Sequence, residues 1–224
     1  MFRWIVAHWH IPLLALWACG CAAGFTALMV YGNQPGLVGE QAEGFVLPAE
    51  FRTGGGGPTL VMYIHPKCPC TRASIRELER LQADLLHPIQ IVAFFYEPDG
   101  IDADGGDAES WRDTDTCRSI ARMPRTRTVP DPEGRVAAQA GVTTSGTVCL
   151  YDGEGRTVFV GGITPSRAHE GDSEGGLALR RLLNESNEDL EVLSTAHREA
   201  AGLPGRTAVY GCPIHTPAAS VDAE

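Results

Sequence analysis

Two apolar runs constrain the fold of this chain more than any other feature: Leu60–Ile64 (LVMYI) and Ile89–Tyr96 (IQIVAFFY). Both lack the strict alternation of a half-solvated strand, so each predicts a strand buried on both faces, as in a parallel sheet. Between them, Ile75, Leu78, Leu81 and Leu85 recur at three- and four-residue spacing, with Arg76, Glu77, Glu79 and Arg80 on other faces. That spacing predicts an amphipathic helix stopping near His87-Pro88. Two buried strands joined through a helix form a βαβ unit, which requires a sheet covered on both sides.

The first strand meets the helix at Cys68-Pro69-Cys70. A helix N-terminus carries unpaired N–H groups and the positive end of the macrodipole. That setting lowers a thiol pKa from its free value of about 8.5. Lys67 and Arg72 add positive charge. These residues predict thiol–disulfide exchange, with Cys68 at the exposed start of the turn attacking, Cys70 resolving the mixed disulfide and Pro69 holding the turn. A disulfide wants Cα atoms about 4.4–6.8 Å apart, which so tight a turn supplies only with strain. A strained disulfide is the more oxidising one. His65, three residues upstream, is a candidate for handling the proton, with packing as the other reading.

The chain has 224 residues, seven cysteines and a net charge of -10. The acidic balance, with no basic cluster, argues against a nucleic-acid partner. The cysteines are too few and too unevenly spread for a disulfide framework. Cys19 and Cys21 lie in an uncharged stretch, Ile11–Tyr31, long enough to span a bilayer. Trp9, Trp17 and Tyr31 suit interfacial anchors. Arg3 precedes the stretch and Glu40 and Glu43 follow it, which predicts an N-inside orientation. An uncleaved anchor and a cleaved signal segment both fit; either way the remainder is exported, and the first makes a single-pass cell-membrane protein with a periplasmic, extracytoplasmic domain. The expected organisation is an anchor over 1–31, a linker over 32–44, one α/β domain over 45–200 and a tail over 201–224 carrying Gly211-Cys212-Pro213-Ile214-His215.

Along the domain, Phe45–Phe51 suggests an edge strand, Ser110–Met123 a helix, Arg127–Val129 a short strand and Val136–Ala140 a small helix. Thr147–Tyr151 and Thr157–Val160 predict a hairpin turning on Asp152-Gly153-Glu154-Gly155. Leu177–Leu183 and Leu190–His197 predict helices. Asp102, Asp104 and Asp107 lie in an acidic loop whose spacing misses the calcium-loop pattern. In this topology the hairpin's first strand begins beside the cysteine turn, so Ser145 and Gly146 face the sulfurs. The Thr164–Asp172 loop, with His169 and Glu170, comes to the same end. Cys149 reads as a small buried hydrophobe, Trp111 as packing, and Cys117 carries no assignment.

From about Glu43 to Leu183 the chain resembles thioredoxin-like proteins of the membrane-anchored TlpA/ResA kind, and most closely the RedB-type proteins. The likeness rests on His65-Pro66-Lys67-Cys68-Pro69-Cys70-Thr71-Arg72-Ala73-Ser74 and on the string from Gly141-Val142 through Asp152 to Gly155. Thr71 stands where the family has its second cysteine, and Gly146 where it has a cis-proline. The resemblance implies a thioredoxin-like fold (a central mixed β-sheet flanked by helices) behind an N-terminal transmembrane helix, a protein thiol or disulfide as partner, and no cofactor.

Two other readings follow from the residues. Cys68 and Cys70, with His65, Cys212 and His215, offer soft and imidazole ligands for copper or zinc, by analogy with the copper-handling Sco proteins, which share the fold. Alternatively, Cys68 is a peroxide-reducing thiolate resolved by Cys70 or Cys212. Cys212 is also a possible resolving thiol for the exchange reaction.

Overall fold

The structure is a computed structural model, described for residues 10–37, 39, 45–98, 111–184 and 206–215. It falls into two units divided between Gln34 and Pro35. The first holds helix α1, His10–Gly32, 23 residues with no charged side chain and none buried. It is long and apolar enough to cross a membrane, in keeping with the stretch expected over 11–31.

The second unit is built on a five-stranded mixed sheet. Its strands are β1 (Thr59–Ile64), β2 (Gln90–Glu97), β3 (Thr126–Pro132), β4 (Thr147–Tyr151) and β5 (Thr157–Gly161), in the order β3-β2-β1-β4-β5. β1 pairs in parallel with β2, and β2 with β3, whereas β4 runs antiparallel to β1 and to β5. Helices α2 (Thr71–Asp84), α3 (Asp115–Ala121), α4 (Arg135–Gln139) and α5 (Glu174–Asn184) complete the unit. This is the thioredoxin-like arrangement.

β1 is buried throughout because both its faces are covered. Leu60, Met62 and Ile64 join one core with Ile75, Leu78 and Leu81 of α2 and Leu179 and Leu182 of α5. Val61 and Tyr63 join the other, with Leu47, Phe94, Ala137, Tyr151 and Ile214. Burying the three α2 side chains contributes roughly 1.5–3 kcal/mol each. That outweighs the few tenths of a kcal/mol by which residue propensities differ, so tertiary packing fixes where α2 starts and what its first turn faces.

Several boundaries differ from expectation. Phe45–Phe51 is not an edge strand. Leu47 donates its N–H to the Gly155 carbonyl, but its own carbonyl accepts from Arg52 Nε, and Pro48 has no N–H to continue a ladder. A single 3₁₀ turn, Ala49–Phe51, follows. The helix expected over 110–123 is interrupted: residues 111 and 112 are helical, and α3 restarts at Asp115, because Thr114 takes an extended conformation and its side chain caps the Cys117 N–H. β3 is longer than expected and carries Pro130 and Pro132, which an edge strand tolerates. The hairpin turns on Asp152, whose carboxylate accepts from the Glu154 and Arg156 N–H groups. The acidic-loop aspartates and the expected Leu190–His197 helix lie outside the described residues.

Candidate active site

β1 ends at Ile64, and α2 begins at Thr71. In the intervening turn Cys68 donates its N–H to the His65 carbonyl, while the Cys68 and Cys70 carbonyls accept from Thr71 and Ala73. Cys70 is the N-cap of α2 in a right-handed helical conformation, with no side-chain cap. Pro69 is exposed at the tip.

Cys68 departs from expectation. Instead of opening the turn to solvent, it is 1% exposed. The tail covers it: Cys212 donates its N–H to Cys68 Sγ at 3.4 Å. The tail is held there by an isolated β-bridge. Ser145 donates its N–H to the Cys212 carbonyl and Ile214 donates to Thr143, both at 2.8 Å, around a Thr144–Pro213 antiparallel bridge. The sulfurs of Cys68, Cys70 and Cys212 lie within 4.8 Å of one another.

Ser145 and Thr71, both buried, organise the turn from beneath. The Ser145 hydroxyl accepts the His65 N–H at 2.8 Å and lies 2.8 Å from the Thr71 hydroxyl, which in turn hydrogen-bonds Cys68. Gly146 adopts φ +89 and donates its N–H to the Tyr63 carbonyl at 2.8 Å, joining the loop to the end of β1. A side chain there would be strained by that φ and would meet Ser74 Oγ at 3.0 Å.

The three thiols are electrostatically unequal. Burial pushes Cys68 up, but side-chain and N–H donors from Cys212 and Thr71 outweigh it and hold the thiol below its ordinary value. Cys70 is raised, by burial first and then by the Cys68 charge, against the opposing pull of Arg167. Cys212 is raised by burial and by donating to Cys68. Of the three, Cys68 is the one whose thiolate form its surroundings favour, which is what a nucleophilic sulfur needs.

The other candidates lie farther out. His65 stacks on Tyr96 with centroids 5.5 Å apart and meets Trp111 edge-on at 5.3 Å. Its Nδ1 accepts from the Lys67 N–H, and burial, then the Lys67 charge, lowers its pKa, favouring the neutral ring. The Lys67 ammonium sits over Trp111, 3.9 Å from the ring centroid. Arg72 is exposed, 3.7 Å from Asp115. His215 meets Tyr96 edge-on, and His169 is exposed with Nδ1 against the Arg167 carbonyl. The expected metal set therefore comes together only in part: among the described residues its three sulfurs cluster, and the two histidines are drawn away onto Tyr96.

Arg167 was not anticipated. It donates to the Gly211 carbonyl and acts on Cys70, so it ties the tail to the turn. It belongs to the 164–172 loop that topology puts at this end of the sheet, where His169 had drawn the attention. Cys149 is buried in β4, where burial pushes its thiol up to about 12.

No protein-family model and no curated protein matches the chain. Solved structures match in fold. An uncharacterized conserved protein from Geobacillus kaustophilus is 20% identical, with a TM-score of 0.50 over 82% of this chain and 94% of that one. A hypothetical protein from Sinorhizobium meliloti is 20% identical, with a TM-score of 0.47 over 82% and 96%. The exposed lipoprotein thioredoxin Etrx1 from Streptococcus pneumoniae is 14% identical, with a TM-score of 0.39 over 59% and 87%. At these identities the likeness is one of fold alone.

Proposed function

We propose that this thioredoxin-like chain is a membrane-tethered, extracytoplasmic thiol–disulfide oxidoreductase of the RedB type, acting on protein thiols or disulfides. The observation that carries the reading is Cys68: a sulfur at the strand-to-helix turn, its thiolate form favoured by donors from Cys212 and Thr71, with two further thiols within 4.8 Å. Such a thiolate attacks a partner disulfide to form a mixed disulfide, and a neighbouring thiol displaces the partner. Ser145 and Thr71 position the nucleophile. His65 stands beside the turn in an aromatic stack and serves to orient the Pro66–Lys67 segment. Incubating the full chain, reduced in detergent, with oxidised glutathione tests this. A glutathione adduct or an intramolecular disulfide that requires Cys68 is expected, and an unreactive Cys68 would refute the reading.

A second reading, binding of a soft metal ion such as monovalent copper, draws on the same three-sulfur cluster, a donor set that suits soft cations. Metal titration of the reduced chain separates the two. Stoichiometric binding lost in Cys212→Ser, without any disulfide chemistry at Cys68, favours the metal.

A further inference from the structure

The exchange reading leaves open which thiol resolves the mixed disulfide. Resting on that reading, we propose that Cys212 is the resolving thiol, and that the intramolecular disulfide of this protein joins Cys68 to Cys212 across the β-paired tail.

The backbone of the turn disfavours the alternative. Cys68 and Cys70 are two residues apart in a segment already wound toward α2, with both carbonyls engaged by Thr71 and Ala73. The Cys68 and Cys70 sulfurs also lie within 4.8 Å of each other, so it is the backbone between them, not the sulfur separation, that disfavours this bond. Bonding their sulfurs directly would require rewinding the start of α2, which the buried Ile75, Leu78 and Leu81 hold in place.

Cys212 has no such constraint. It arrives on a separate segment, 144 residues from Cys68, with its N–H already on the Cys68 sulfur. The segment is tied on several sides: to Thr143 and Ser145, to Arg167 through the Gly211 carbonyl, and to Gly36 through the Val209 carbonyl at 2.7 Å. Its closeness is built into the sequence. A Cβ at Gly211 would fall 1.9 Å from the Ser145 carbonyl oxygen and 3.0 Å from its carbon. Only glycine lets the tail approach this far.

The chemistry balances as follows. The Cys68 thiolate attacks a disulfide R–S–S–R′, forming Cys68–S–S–R and releasing R′S⁻, which takes up a proton. Cys212 loses its proton and attacks the Cys68 sulfur. The Cys68–Cys212 bond forms, the bond to R breaks, and RS⁻ leaves to be protonated. Two electrons pass from the chain to the partner disulfide; run backwards, the same steps oxidise a partner dithiol. Part of what keeps Cys212 protonated is the charge on Cys68. Burial is the larger cause and remains, but the Cys68 charge is gone once Cys68 is in the mixed disulfide, so Cys212 ionises more readily at that stage than before it. Cys70 remains a thiol beside Arg167.

The test is disulfide mapping. The full chain in detergent is reduced, oxidised with excess oxidised glutathione, blocked with N-ethylmaleimide, digested and analysed by mass spectrometry. The expected result is a linked Cys68–Cys212 peptide pair with Cys70 alkylated. Cys70→Ser should keep the linkage, and Cys212→Ser should lose it and accumulate glutathione on Cys68. A Cys68–Cys70 linkage in the unaltered chain, or a disulfide that survives Cys212→Ser and is lost in Cys70→Ser, would overturn the proposal while leaving the exchange reading intact. Absence of any disulfide or adduct at Cys68 would overturn both.

Discussion

Replacing Thr71 by valine removes one hydroxyl from beneath Cys68, and with it the 2.8 Å hydrogen bond to the Ser145 hydroxyl. Thr71 is 1% exposed, and valine fills nearly the same volume, so the burial that pushes Cys68 upward is preserved. What is lost is a donor to a thiolate, an interaction worth about 1.5–3 kcal/mol. With one pKa unit equal to about 1.36 kcal/mol, the thiolate fraction below the Cys68 midpoint falls roughly tenfold to a hundredfold. The remaining thiolate is more basic and hence more nucleophilic, which offsets about half of that on a logarithmic scale. Alkylation of Cys68 by iodoacetamide, followed peptide by peptide, should therefore slow by about threefold to tenfold at a pH below the midpoint. At high pH, where Cys68 is ionised in both proteins, the order should reverse. Thr71→Ser keeps the hydroxyl and should behave like the unaltered chain. A midpoint that stays fixed or moves down in Thr71→Val would refute the donor arrangement around Cys68.

Other perturbations test separate parts of the structure. Gly211→Ala should push the tail off Ser145 and uncover Cys68, so that Cys68 is alkylated faster at high pH, where it is ionised in both proteins, read in the same alkylation profile. Because Cys68 is held below its unfolded value, its reactivity should persist toward lower pH than that of a free thiol and fall only as pH drops through the folded midpoint. Cys149, pushed up to about 12, should resist alkylation near pH 9 in the native protein and react only on unfolding. Gly146→Ala should cost about 1–3 kcal/mol in denaturant unfolding, from the positive φ. Leu78→Ala, at a fully buried position, should cost about 2–5 kcal/mol in the same measurement.

Local pattern carried most of the architecture. The unbroken apolar runs of β1 and β2 and the 3.6-residue periodicity of α2 specify a parallel βαβ unit, and the Asp152–Gly155 turn specifies the hairpin. From these alone the cysteine turn and the Ser145-Gly146 loop come to one end of the sheet. Phe45–Phe51 was misread because burial of Leu47 makes a lone apolar segment look like a strand, while Pro48 and Arg52 take away its ladder. In the sequence Cys212 is a candidate resolving thiol or metal ligand with nothing to choose between the roles, since its contact with Cys68 spans 144 residues and leaves no periodic trace. The local clue was Gly211, whose missing Cβ permits the close approach. Arg167 was passed over because a histidine nearby looked more chemical, yet a guanidinium can both hold a carbonyl and oppose a thiol's desolvation.

The most direct measurement is an equilibrium redox titration of the full chain in detergent, poised in thiol–disulfide buffers, with free thiols counted at each potential. The expected result is one two-electron couple, abolished by Cys68→Ser. Thiols that stay reduced across the whole range, or a couple that persists in Cys68→Ser, would contradict the assignment of Cys68 as the reacting sulfur.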